Sequence, residues 1–354
     1  GPPMADETFD RTRSRAFSQR LMSMYGEAML TNAIALGART GLMAAFAEKP
    51  GTSTEIAERA GMHERYVREW LHALVVGSVA EHDDGVFTLP PEHAISLTGD
   101  SFLNTTAIAA MAAAAGGNLD GMAHAFTTGE GTPFHDQAGD MPSMMDRLSR
   151  ARYETFLVDS YLGSIDGLPE ALEAGIRVAD IGCGTGRVAL LIANAFPASH
   201  VTGIDLSAPS IATARAAAES EGVDNVTFVE GRIDELSGPL DLITAFDVIH
   251  DLGQPDDAVA HVRSCLADGG RFVMCDSAAP ASLEAQAELP WAPMMYGLSM
   301  FGCVGTARSQ GGEGLGNMWG QAAATALLRD AGFADVEARP VKGDPMNALY
   351  VATG

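Results

Sequence analysis

The stretch Arg177-Val-Ala-Asp-Ile-Gly-Cys-Gly-Thr-Gly186 decides the fold. A short apolar run that ends in an acid and passes into alternating glycines reads as a buried strand entering a tight turn before a helix. Such a turn is common, and by itself it is shared with dinucleotide enzymes and with ordinary strand-to-helix connections. Two details narrow it. The spacing is G-x-G-x-G rather than G-x-G-x-x-G, and Asp180 places an anion where a pyrophosphate-binding loop would not want one. A ligand with a cationic end fits better, with the glycines letting it approach the backbone closely. About 20 residues on, a second strand ends in Asp205, where an acidic side chain takes the two hydroxyls of a ribose.

Outward from this loop, short apolar strands alternate with helices. Arg177–Ile181, Val201–Ile204, Val226–Val229, Leu240–Ala245 and Arg271–Cys275 are the expected strands, and the alternation implies a parallel sheet covered on both faces. A helix over Gln321–Asp330 follows, then strands near Val336–Val341 and Ala348–Ala352, which suit an antiparallel hairpin at one edge.

Before the loop the pattern is different. Apolar residues recur at helical spacing from about Tyr25 to Phe46, Lys49-Pro50-Gly51 breaks the run, and Thr52-Ser53-Thr54-Glu55 supplies a helix start. A helix over Glu55–Ala60 and another over His63–Val76 are expected, the latter with Tyr66, Val67, Trp70, Leu71 and Leu74 on one face. Val79–His82, the turn Asp83-Asp84-Gly85 and Val86–Leu89 read as a hairpin. Helices followed by a hairpin make a winged helix, a shape associated with DNA. Residues 52–98, however, set eight acids against Arg59, Arg65 and Arg68, so dimerisation is the favoured role and nucleic acid is excluded. Residues 1–20 are expected to lack structure, Gly1-Pro2 reading as the scar of a cleaved tag. Residues 21–98 form the winged-helix dimerisation domain and 99–170 a helical connector, packed as helix over Phe102–Phe126 and looped over 127–142. Residues 171–354 form the main domain, with a lid over 281–320.

With 354 residues and 47% of them apolar, the chain can bury two cores. The formal net charge of −24 repels nucleic acid and anionic membranes alike. No apolar run approaches the roughly 20 residues needed to cross a bilayer, and the first thirty residues lack a signal peptide's apolar stretch; a soluble cytoplasmic protein is expected. Cys183, Cys265, Cys275 and Cys303 form no C-x-x-C pair and are expected to be reduced and mostly buried, Cys303 among apolar neighbours. Histidine spacing gives no support to a zinc site, and no metal is expected.

Three motifs in order, Val178–Gly186, Gly203-Ile-Asp-Leu-Ser207 and Leu266-Ala-Asp-Gly-Gly270, resemble the successive motifs of class I S-adenosylmethionine-dependent methyltransferases, over residues 177–354. The winged-helix start and Asp247-Val-Ile-His-Asp-Leu252 are similar to small-molecule O-methyltransferases of the caffeate type and to a mycobacterial-type group. The resemblance implies an α/β fold: a seven-stranded, doubly wound, Rossmann-like sheet behind an N-terminal helical winged-helix domain, working as a homodimer on a small molecule. It implies S-adenosyl-L-methionine held by Asp180, Gly182, Cys183, Gly184, Gly186, Asp205 and Leu206, and flanked by Ile233, Asp234, Phe246 and Asp247. One departure is Arg232, which stands where such families often place the acid that holds the adenine amino group; Asp234, backbone or water takes that role instead.

Ligands of doubly wound sheets bind beyond the carboxyl ends of the strands, which puts Asp247–Asp251 and Asp276 near the transferred methyl group. Methyl transfer is a displacement at carbon that depends on collinear positioning, and a protonated hydroxyl also needs a base. His250, an imidazole with an ordinary pKa of about 6.5, is placed for it. The caffeate-type resemblance gives His250 that role, with Asp276 flanking it; a second flanking acid is absent, Met318 standing about where it belongs. A purely positional histidine is the other reading. Magnesium on Asp247 and Asp276 is not favoured, since the Asp-Asn pair of the metal-dependent catechol enzymes is missing. Tyr153, Trp291, Met295, Tyr296 and Met300 are expected to line an adaptable acceptor wall, although about half of the lid residues would pack the lid itself. Sulfur or nitrogen acceptors, which need less base, and a regulator that binds the cofactor without catalysis are the alternatives.

Overall fold

The computed structural model describes residues 9–354, so the tag-scar reading of Gly1-Pro2 lies outside the described residues. The chain divides into two compact units, 1–113 and 114–354, and the connector expected over 99–170 is shared between them.

In the first unit, α1 (Arg11–Thr40) is capped by the Asp10 carboxylate on the Thr12 and Arg13 amides. It begins well before the expected Tyr25, and residues 11–20, expected to be unstructured, are its first turns. Gly41, at φ +78°, ends it and admits α2 (Leu42–Glu48). The capping box of Thr52 and Glu55 opens α3 (Ser53–Ala60), and α4 (Glu64–Val76) follows. The hairpin pairs β1 (Glu81–Asp83) with β2 (Val86–Thr88). The core gathers Met43, Phe46, Ile56, Val67, Trp70, Leu71, Leu74 and Phe87. Tyr66 departs from the expected face and is 80% exposed, one position off the stripe that Val67, Trp70, Leu71 and Leu74 define. Trp70 donates its indole N–H to the Ala33 carbonyl at 2.8 Å, and Gly37 is required there, since a Cβ would stand 2.6 Å from the Trp70 ring.

The apolar stretch expected as one helix over 102–126 is two, Thr106–Gly116 and Leu119–Thr128, broken at Gly117. The second buries none of its residues, so it is not the tightly packed helix expected.

The main sheet has seven strands: β3 (Arg177–Ile181), β4 (His200–Asp205), β5 (Val226–Glu230), β6 (Leu240–Phe246), β7 (Leu266–Ser277), β8 (Asp335–Val341) and β9 (Asp344–Thr353). Their order is β5-β4-β3-β6-β7-β9-β8. β3 to β7 pair in parallel, and β9 runs antiparallel to both β7 and β8, giving the expected edge hairpin. β3 starts at the centre, the chain winds outward to β5, then crosses back to β6. The carboxyl ends of β3 and β6 therefore flank the point of reversal, where a crevice opens in such sheets. The core packs Ile181, Ile204, Ile243, Ala245, Phe272, Met274 and Tyr350 against Val259, Val262, Ala324 and Leu328 of the covering helices.

Candidate functional site

At the end of β3 the chain turns through Gly182, Gly184 and Gly186, all at positive φ. Two of them are fixed by packing: a Cβ at Gly182 would stand 2.6 Å from Val248, and one at Gly186 2.6 Å from the Phe228 ring. Nothing lies within 4 Å of a Cβ at Gly184, so this glycine borders open space, as a backbone that a ligand approaches must. Asp205 faces the same loop. Its carboxylate accepts from the Gly184 and Ser207 amides, each at 2.8 Å, which orients it before any ligand arrives. The Cys183 amide donates to the Ile204 carbonyl, and burial pushes the Cys183 thiol well above its usual range; it is a packing residue here, not a nucleophile.

Asp180 lies beside Thr244 in the β3–β6 register and is 2% exposed. The Thr244 hydroxyl donates to it at 2.7 Å. Burial pushes this carboxyl up to about 7, the Thr244 bond opposing and Asp205 adding to the rise. A buried carboxylate with one hydroxyl donor suits a cationic neighbour. Of the nucleoside flank, Ile233 packs against the sheet core and Leu206 is half exposed. Asp234 is engaged by its own neighbour, accepting from Arg232 Nε at 3.0 Å, so the residue that replaces the usual acid also occupies its substitute.

The second half of the site lies beyond β6 and β7. His250, 5% exposed, sits in the turn Ile249–Asp251, and its Nδ1 donates to Asp276 Oδ1 at 2.8 Å. The same carboxylate oxygen accepts from the Ser277 amide and from Trp319 Nε1, both at 2.8 Å. Burial opposes charge on the imidazole, but Asp276 and then Asp251 outweigh it and hold the His250 pKa well above its ordinary value. Asp276 moves the other way: burial raises it, while His250 and the three donated bonds bring it below the usual range. The pair is thus fixed in one orientation, with Nε2 turned away from Asp276. Trp319 thus holds Asp276 and not the imidazole itself, and Met318, expected near the missing second acid, packs with Ala279 and Ala292.

Asp247 caps β6 with φ +56°, an unfavourable conformation for a residue with a side chain. A network holds it there: Asn347 Nδ2 donates to Oδ1 at 3.0 Å, the Tyr153 hydroxyl reaches Oδ2 at 3.5 Å, and Arg152 stands 3.9 Å away while pairing with buried Asp344. Burial pushes the Asp247 carboxyl up to about 6, Arg152 resisting and Asp344 and Asp276 contributing. Tyr153 packs edge-on against Phe246, ring centroids 5.3 Å apart. Sequence reasoning missed Arg152, Asp344 and Asn347, because they belong to a helix before the loop and to the last strand. The same helix, Met141–Phe156, carries Asp146, which accepts from Thr185 of the glycine loop at 3.2 Å.

The expected acceptor wall is only partly as read. Trp291 and Met295 pack with Leu289 and Met318 into the lid's own small core. Tyr296 and Met300 are 43% and 41% exposed, and the Tyr296 hydroxyl is bound by Gln286. Cys303 departs from the apolar setting expected for it: its sulfur lies among His250 Nε2 and an Asp251 carboxylate oxygen, all three within 4.8 Å of one another.

Residues 172–332 match the family described as a methyltransferase domain, and residues 28–99 match the Rv2258c-like winged HTH domain. Among curated proteins, the chain is 35% identical over 94 residues to a trans-aconitate 2-methyltransferase of Deinococcus radiodurans, covering 27% of this chain and 35% of that protein. It is 29% identical over 136 residues to a malonyl-[acyl-carrier protein] O-methyltransferase of a Paenibacillus species, covering 35% and 49%. The chain spans less than half the length of the curated relatives first matched. Its fold is that of the mitomycin 7-O-methyltransferase MmcR, with a TM-score of 0.71 at 19% identity over 97% of this chain and 100% of that one. Human N-acetylserotonin methyltransferase, solved with S-adenosylmethionine, gives 0.69 at 15% over 99% of each. Residues 172–332 are a methyltransferase domain, and the fold of the chain is one that S-adenosylmethionine-dependent methyltransferases share. Ahead of that domain the chain carries a winged-helix domain, and among the described residues no helix is long and apolar enough to cross a membrane.

Proposed function

We propose that this chain methylates a hydroxyl group of a small molecule, with His250 as the base and Asp276 as the group that orients it. The observation that carries this is the buried His250–Asp276 pair, whose Nδ1 is held by a carboxylate at 2.8 Å; Asp276 and Asp251 favour the imidazolium, so Nε2 takes the acceptor's proton from the neutral form, whose share grows as the pH rises. Bound at the glycine loop, S-adenosylmethionine supplies an electrophilic methyl group on a sulfonium. The chain's residues do the rest. Asp205 takes the ribose hydroxyls, Asp180 and the loop backbone hold the cationic methionine end, and Asp247, with Phe246 and Tyr153, borders the sulfonium side. Residues 281–320 cover the acceptor, with Met300 and Tyr296 as adaptable contacts. The test is methyl transfer from isotopically labelled cofactor to a panel of phenols and alcohols, alongside thiols and amines. Transfer confined to hydroxyls and lost in His250→Ala supports the reading; transfer to a thiol or amine that survives in that variant overturns it.

We further propose that the first unit joins two copies of the chain and does not bind DNA. Arg65 and Arg68 of α4 are paired with Glu69 and Glu64 on the same helix. The first turns of α1 expose Phe17, Met22, Met24, Tyr25 and Met29 at 50% or more, a run of apolar side chains that suits a self-complementary partner. A monomer by light scattering at micromolar concentration, or retarded DNA with a steep salt dependence, would refute this.

A further inference from the structure

Two oxygens beside the His250 imidazole are buried and accept no hydrogen bond: Oδ2 of Asp276 and Oδ1 of Asp251. The second is the informative one. Asp251 Oδ1 lies 3.4 Å from His250 Nε2, an ion pair while the imidazole is protonated. Once that proton leaves, the same two atoms are electron-pair donors at a separation that a single cation can bridge. The sulfur of Cys303 completes the group, the three atoms lying within 4.8 Å of one another.

From these atoms we infer that His250 Nε2, Asp251 and the Cys303 sulfur form a three-ligand site for a thiophilic divalent cation of the zinc class. The donor set of imidazole, carboxylate and thiol is one that zinc takes, with bonds of about 2.0–2.3 Å. Tetrahedral angles then put nitrogen and oxygen ligands about 3.3 Å apart, close to the His250–Asp251 separation. The surroundings resemble those of a metal-bound histidine: Asp276 holds Nδ1–H and fixes the tautomer that presents Nε2, an arrangement that raises ligand basicity. Trp319 and the Ser277 amide hold Asp276 in turn.

The third ligand is also held in place. Cys303 closes the π-helical turn Ser299–Cys303. Gln137 clamps that turn by donating to the Gly302 carbonyl at 3.0 Å and to Thr306 Oγ1 at 2.8 Å. Gln310 ties the following helix to the His250 turn, donating to the Asp251 carbonyl at 3.2 Å and accepting from the Gly253 amide at 3.3 Å. Lid and strand end are thus fastened at the point where their ligands meet.

Binding displaces two protons to solvent, the thiol proton of Cys303 and the Nε2 proton of the His250 imidazolium, and the metal takes the nitrogen lone pair so freed, with no change of oxidation state. Three protein ligands leave a fourth position open. Because the nitrogen that would receive the acceptor's proton is then occupied, zinc inhibits methyl transfer; this consequence, unlike the binding itself, rests on the role proposed above for His250.

The experiment is cobalt(II) titration of the full chain, followed by absorption, with zinc displacement as the competition. One equivalent should give a thiolate-to-cobalt charge-transfer band with d–d absorption of a low-coordinate ion. Cys303→Ser should abolish the charge-transfer band, and Asp251→Asn should weaken binding while leaving cofactor affinity unchanged by calorimetry. Asp276→Asn should weaken metal binding roughly 10–100-fold. No band in the parent chain, or a band that persists in Cys303→Ser, overturns the site. Since none of these readouts needs turnover, a spectrum without catalysis would fault the proposed activity and not the metal site.

Discussion

The two halves of this crevice, proposed above for cofactor and for acceptor, are built by different means. Around the glycine loop, recognition is local and largely backbone: Asp205 is oriented by two amides at 2.8 Å, and the close approach is made by glycines within five residues of one another. Around His250, buried charges come from segments far apart in the chain, with His250, Asp276 and Trp319 in one group and Arg152, Asp247, Asp344 and Asn347 in the other. Backbone recognition suits a ligand that is always the same. Side-chain networks can be re-cut for a different acceptor without disturbing the loop, and they are also more fragile, because removing one member leaves the others buried and unpaired.

That contrast can be broken at its most exposed point by mutation of His250, the proposed base. His250→Ala should lower turnover by roughly 10²–10⁴-fold while calorimetric affinity for S-adenosylmethionine stays unchanged. A loss below about tenfold would mean that His250 only positions the acceptor, and the two halves would then differ less than their construction suggests.

The Arg152 network tests the fragility claim through stability. Arg152→Met leaves Asp344, whose side chain is 1% exposed, and Asp247 without their cation, and breaking a buried pair in this way costs about 3–5 kcal/mol. Urea unfolding of the variant should show that loss, and Arg152→Met combined with Asp344→Asn should recover part of it. An unchanged midpoint would show that the network is dispensable, its polar groups being served by water.

The same contrast explains what could be read before the structure was known. The strand–glycine–helix loop, the acid at the end of β4 and the antiparallel edge hairpin all follow from periodicity and spacing within short windows. The His250–Asp276 pairing came instead from the caffeate-type resemblance, which sets two consecutive strand ends side by side. Arg152, Asp344 and Asn347 carry no local signature, since a charged residue in a helix and an Asp-x-x-Asn in a strand have ordinary surface readings until the fold brings them together. Cys303 was misjudged for a related reason: its apolar neighbours in sequence, Met300, Phe301 and Val304, concealed that its sulfur meets a histidine and an acid some fifty residues earlier in the chain. The lid residues Trp291 and Met295 satisfy their own small core, and sequence pattern does not separate that use of an apolar side chain from contact with a substrate.

On the cofactor side a smaller effect is expected from Asp205, because the backbone shares the work. Asp205→Ala should weaken S-adenosylmethionine binding by about 1–3 kcal/mol, the worth of hydrogen bonds to a charged group, with turnover at saturating cofactor nearly unchanged. Calorimetry at fixed pH decides it. Unchanged affinity would move the ribose elsewhere, and lost turnover at saturation would mean that this acid also shapes the acceptor half.

The smallest and most specific effect belongs to Asp180, and it appears as a pH dependence of binding. In the free protein its carboxyl is pushed up to about 7, first by burial, with the Thr244 hydroxyl pulling the other way and Asp205 adding to the rise. A cationic methionine end favours the ionised form, so the bound state has the lower pKa and binding releases a proton when the pH is below about 7. Affinity should therefore be flat above that value and fall as the pH drops through it, approaching tenfold per unit, or about 1.4 kcal/mol. The inflection should respond to the one hydrogen bond that opposes burial: Thr244→Val removes a donor that lowers the pKa, so the fall should begin at higher pH. Asp180→Asn should abolish the dependence and bind more weakly at pH 8, by the ion-pair part of the interaction alone. If affinity is independent of pH between 6 and 8 in the parent chain, Asp180 either stays ionised throughout or does not meet the cofactor's charge. The Thr244→Val variant separates the two, since a raised pKa would restore the dependence only in the first case.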